Sequence, residues 1–124
     1  MTSEHSGQAL RPTAGAMITV TIADEISRIR GSDEWKSADR HAVSLVKDAA
    51  LNIMLMMLKK GAQLSEHRTK GPITVQLLSG SIRFSAGADQ RVISAGEIVG
   101  LDREVAHSVE ALEESVLILT TAIA

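Results

Sequence analysis

GAQLSEHRTKGPITVQLLSG, residues Gly61–Gly80, opens and closes on glycine, holds one histidine and runs through a series of β-branched and aliphatic side chains. Five residues separate Gly61 from His67, and the apolar run ends at Ser79–Gly80. A second stretch, GEIVGLDREVAHSVEA over Gly96–Ala111, brings His107 forty positions after His67. Successive strand residues point to opposite faces, so His67 and Thr69 are expected to share one face, Ile73, Val75 and Leu77 an adjoining one, and His107, Val109 and Ala111 a third.

These stretches resemble the two motifs of the cupin superfamily, in particular its small single-domain, RmlC-like members. The first motif reads Gly, five residues, His, one residue, His, three or four residues, Glu, six residues, Gly; Gly61, His67 and Gly80 match, while Thr69 stands at the second histidine and Ile73 at the glutamate. The second reads Gly, five residues, Pro, one residue, Gly, two residues, His, three residues, Asn; Gly96 and His107 match, and Asp102, Glu104 and Ala111 replace the proline, the second glycine and the asparagine. The resemblance covers roughly residues 40–122. It implies an all-β jelly-roll barrel, a double-stranded β-helix enclosing a ligand cavity. It implies no single activity, because one fold hosts many chemistries.

Outward from the motifs the chain divides into three. Met1–Ala16 mixes Ser, Gly, Thr, Pro and Ala without periodicity and reads as a flexible tail, with His5 solvated. Residues 17–39 read as a helix and loop packed on the barrel: Ile22, Ile26 and Ile29 fall at helical spacing between a capping Thr21 and a terminating Gly31, and Trp35 anchors a polar loop. Residues 40–124 form the barrel. AVSLV, LNIMLMML, ITVQLL, SIRFS, QRVIS, EIVGL, HSVEAL and SVLILTTA are its candidate strands, and Gly61, Gly80, Gly87 and Gly96 its turns. LNIMLMML is apolar on both faces, so one face is assigned to the barrel interior and the other to a second layer or a second subunit, by plain packing or as an adaptable methionine-lined surface. A homodimer through strand exchange or sheet packing is expected.

Composition sets limits. The chain's 124 residues suffice for one domain. Thirteen Lys and Arg against fifteen Asp and Glu, with 2% aromatic residues, leave neither a basic stripe nor stacking platforms, and nucleic acid is not an expected partner. Cysteine is absent, which removes disulfides, thiolate metal sites and cysteine nucleophiles. The longest apolar run, Ile53–Leu58, is far below a membrane span, and the first residues lack the charged start and apolar block of a secretory signal; a cytoplasmic protein is expected.

His67, Thr69, Ile73, Val75, Leu77 and His107 are therefore the candidate ligand-binding residues, with His67 and His107 the candidate metal ligands. Two imidazoles begin a site for a divalent transition metal such as Zn, Fe, Ni, Cu or Mn, but a catalytic site usually adds a third protein ligand, and Ile73 has no donor atom. Asp102 or Glu104, in the loop before His107, would have to reach across; Glu66 points outward by alternation, and His41 reads as a surface imidazole. Three functions follow: a pocket in which His67, Thr69 and His107 take a polar group such as a carboxylate or carbonyl, with a weakly held divalent metal at the histidines; a cupin enzyme of dioxygenase or isomerase type, metal-assisted or with one histidine as base; or a dimeric structural or regulatory module without ligand, whose histidines only bond to each other, to Thr69 and to water.

Overall fold

In a computed structural model, which describes residues 17–122, two short helices precede nine strands. Helix α1 spans Ile22–Arg30 and α2 Asp33–Ser37; the strands are β1 (Arg40–Lys47), β2 (Leu51–Leu58), β3 (Gln63–His67), β4 (Ile73–Ser79), β5 (Ser81–Ala86), β6 (Asp89–Ser94), β7 (Ile98–Leu101), β8 (His107–Ala111) and β9 (Ser115–Ala122). They form a five-stranded sheet, β1-β2-β9-β4-β7, and a four-stranded sheet, β3-β8-β5-β6. Every pairing is antiparallel. This is the jelly-roll sandwich that the resemblance to cupins implies. The expected tail, Met1–Ala16 with His5, and the last two residues of the barrel segment lie outside the described residues.

Between the sheets, alternation collects the inward residues of both layers, with Ile73, Val75 and Leu77 of β4 facing Ile82 and Phe84 of β5 and Val109 and Ala111 of β8. The apolar strand β2 divides its faces as its composition requires. Met56 and Leu58 belong to this interior. Leu55 and Met57, both fully buried, turn the other way and join Val116 and Ile118 beneath Ile29 and Trp35. The covering layer on that face is the chain's own α1 and α2.

Helix α2 departs from the expectation of a loop around Trp35. Ser32 caps it, its hydroxyl accepting the Trp35 backbone N–H at 3.2 Å, and Asp33 and Glu34 occupy the first turn, where carboxylates favour the helix dipole. The indole is 7% exposed and lies under Lys59, whose ammonium is 4.8 Å from the ring centroid and donates to the Trp35 carbonyl at 2.7 Å. Thr21 does precede α1, but its side chain makes no cap, and Gly31 ends the helix in ordinary right-handed geometry.

Two turn positions bear on the site. At Gly80 the backbone takes φ +92°, and a Cβ there would collide with the Ser115 side chain and the Glu114 carbonyl. Ser115 is fully buried, accepts the Ser81 N–H at 3.1 Å and donates to the Glu113 carbonyl at 2.9 Å, so it cannot yield. Glu104 has φ 63° and is the one residue other than glycine with positive φ among the described residues. It occupies the position of the second glycine in the cupin-like pattern, and its backbone takes the left-handed conformation that glycine adopts most readily.

Candidate functional site

His67 ends β3 and His107 begins β8, and the two are directly opposite in the antiparallel register. Upstream, Leu64 opposes Val109, so three steps on β3 match two on β8. That extra residue is a bulge. It brings Leu64 and His67 to the same inner face, where simple alternation from Leu64 would have turned Glu66 inward, and bulges commonly re-aim side chains in this way. Glu66 is exposed. The five-residue β3, mostly exposed, is the one strand missing from the sequence reading, because no apolar run marks it.

The ring centroids of His67 and His107 are 4.3 Å apart, tilted by 58°, and His107 also stacks on Phe84 at 5.8 Å. His107 is buried and its Nδ1 lies 2.9 Å from the Val105 carbonyl; His67 is more exposed, with Nδ1 3.4 Å from the Ser65 carbonyl. A carbonyl can only accept, so in the neutral ring Nδ1 carries the hydrogen and Nε2 keeps a free lone pair. The loops that lead into the histidines are tied together: Glu104 N–H donates to the Thr69 carbonyl at 2.8 Å, and Arg68 donates to the Glu104 carbonyl at 3.0 Å.

Both rings line a cavity of about 290 Å³ between the sheets. Thr69 and Ile73 line it too, so all four positions of the metal-binding pattern converge on one space. Val75, Val109, Leu117, Leu119, Met56, Leu64 and Phe84 supply the apolar wall, and Arg40 and Ser65 complete the lining. Leu77 does not reach it; fully buried, it packs in the closed part of the interior core. Thr69 lies beyond the end of β3, not on it, and its hydroxyl donates to the Gly71 carbonyl at 3.0 Å, leaving lone pairs only.

The loop carboxylates do not come in. Asp102 accepts the Arg103 N–H and its side chain is 83% exposed, and neither Asp102 nor Glu104 lines the cavity. His41 is opposite Met57 on the outer face, in a groove with Glu25 and Arg28. Among the described residues no cluster of three His, Cys, Asp or Glu side chains is gathered for a metal ion. Two imidazoles, a hydroxyl whose proton is engaged and the donorless Ile73 are a poor fit to the three-ligand protein set typical of catalytic sites.

Arg40 is the charged lining residue that sequence reading missed. It starts β1 opposite Leu58, an interior residue, and therefore points inward. Asp39 engages its Nε at 2.9 Å and one terminal nitrogen at 3.3 Å. The Arg40 guanidinium beside it holds the Asp39 carboxyl below the usual aspartate value, and Asp39 in turn raises that of Arg40. The direction of Arg40 follows from the register, in which Arg40, Ala42 and Ser44 lie opposite Leu58, Met56 and Met54, and not from the sequence of β1 alone.

A two-sheet antiparallel jelly roll with paired histidines at the cavity wall has the cupin fold. Solved structures agree: a cupin superfamily protein from Desulfitobacterium hafniense superposes with TM-score 0.67 at 14% identity, covering 68% of this chain and 78% of that one. An RmlC-like cupin from Shewanella frigidimarina gives 0.66 at 19%, covering 69% and 78%, and KdgF from a Halomonas species 0.64 at 16%, covering 69% and 80%. Likeness at this level of identity establishes the fold alone. No protein-family model matches the chain, and no curated protein is similar to it in sequence.

Proposed function

We propose that this chain binds a small organic molecule in the barrel cavity, its polar end at His67, Thr69 and His107 and its apolar body against Ile73, Val75, Leu117 and Leu119. The observation that carries this reading is the histidine pair: both Nδ1 atoms are turned to backbone carbonyls, which leaves two Nε2 lone pairs on a largely apolar cavity. Such a space, apolar with a few convergent polar groups, is the ordinary form of a ligand site. Because Thr69 also offers only lone pairs, the group that best satisfies this end is a hydrogen-bond donor such as a hydroxyl. The enzyme reading has less support, since no carboxylate lines the cavity to act as a second acid, base or ligand.

A thermal-shift screen of small hydroxylated compounds tests the proposal. A ligand at a hundredfold excess over its Kd adds about 2.7 kcal/mol to stability, a rise of several degrees in Tm. The shift is expected in the wild-type chain and is expected to vanish in His67→Ala and in His107→Ala, both still folded. If no compound separates wild type from the double variant, the cavity is not a binding site. Elemental analysis of the same two proteins is expected to return equal background metal; near-stoichiometric metal in wild type alone would reveal a ligand from beyond the described set.

A further inference from the structure

We infer that the ligand of this cavity carries a carboxylate and that Arg40 receives it, which narrows the binding reading above, on which it rests, to small hydroxycarboxylic acids. Arg40 is the sole Lys or Arg among the cavity's lining residues, and no Asp or Glu lines it. The cavity wall therefore presents one cation, whose counter-ion Asp39 lies outside the lining. Of the other hydrogen-bonding side chains in the lining, His67, His107 and Thr69 have lone pairs to offer and Ser65 a single neutral hydroxyl, so the guanidinium is the charged donor that an anionic group would seek. A molecule with a hydroxyl at one place and a carboxylate at another satisfies both.

Arg40 is free to serve. Its partner Asp39 is the adjacent residue and lies outside the lining, with both side chains about half exposed, 42% and 56%, and exposed pairs of this kind hold weakly. Asp39 occupies the Nε side of the fork, and the second terminal nitrogen, Nη1, has no partner among the described residues. A guanidinium can offer two parallel donors on either edge, so a carboxylate can be taken end-on while Asp39 keeps the side. At roughly 30 Å³ per water-sized group, the 290 Å³ cavity admits about ten heavy atoms, the size of a short branched acid.

Three matched probes decide it: 2-hydroxy-4-methylpentanoate, 4-methylpentanoate and the neutral 4-methylpentanamide, titrated by NMR while the Phe84 and His107 resonances are followed. Both acids are expected to bind about tenfold or more tighter than the amide, and the hydroxy acid tightest. Arg40→Gln should remove the acids' advantage over the amide, Arg40→Lys should restore part of it, and Asp39→Asn should widen it a few-fold. Equal affinities for acid and amide, or acid binding indifferent to Arg40→Gln, would overturn the assignment of Arg40 while the His67-dependent cavity reading stands. If none of the three perturbs the cavity resonances, the carboxylate inference falls, and the thermal-shift screen decides the cavity reading separately.

Discussion

Glu104 and Gly80 hold the same kind of backbone with opposite consequences. Glu104 sits at φ 63° on an exposed loop, a conformation that costs a residue with a Cβ about 1–2 kcal/mol. Glycine returns part of that cost to unfolded-chain entropy, so Glu104→Gly is expected to raise stability by up to about 1 kcal/mol. Gly80→Ala adds a Cβ against the buried Ser115 and should lose about 3 kcal/mol or more. Urea denaturation of the two variants checks both signs, and a stabilised Gly80→Ala would contradict the packing described. At this scale spacing was the better guide than residue type. His67, Thr69, Ile73 and His107 were brought to one cavity by counting residues, although two of the four positions had changed their chemistry. Arg40 was not legible in that way, because its inward direction depends on its pairing with Leu58, a contact between strands that no local pattern in β1 records.

Most strands announced themselves by apolar runs, and LNIMLMML coincides with β2 from end to end. The exceptions have physical reasons. β3 has little apolar face to show and carries a bulge, so alternation alone could not have set its phase against β8. The helix around Trp35 depends on a cap and two acidic residues, a signal shorter than any periodicity. Its energetic role is larger than its five residues suggest, because the indole closes the second core over Leu55 and Met57. Trp35→Ala is expected to cost about 3–5 kcal/mol in chemical denaturation while the histidine pair, on the other side of the sheet, stays in place. A loss below about 1 kcal/mol would mean that the helical layer is a loose cover.

For the molecule as a whole, the second face of β2 no longer argues for a partner, since α1 and α2 occupy it. We propose that the homodimer expected from the sequence forms instead along β6 and β7, the free edges of their sheets, where Val92 is 56% and Ile98 62% exposed. Light scattering is expected to give twice the chain mass of 13.2 kDa for wild type and the single-chain mass for the Val92→Glu, Ile98→Glu double variant. A wild-type monomer would end this proposal without touching the cavity.

The opposite side of the barrel holds the other two free edges. Strand β1 ends one sheet and β3 the other, with no ladder pairing between them, yet Arg40 of the first and Leu64 and Ser65 of the second line the same cavity. A wall closed by side chains alone can part and reclose without breaking backbone hydrogen bonds. A solute passing between these two edges would break no backbone hydrogen bond of either sheet, so its entry would not require the central strands to unfold.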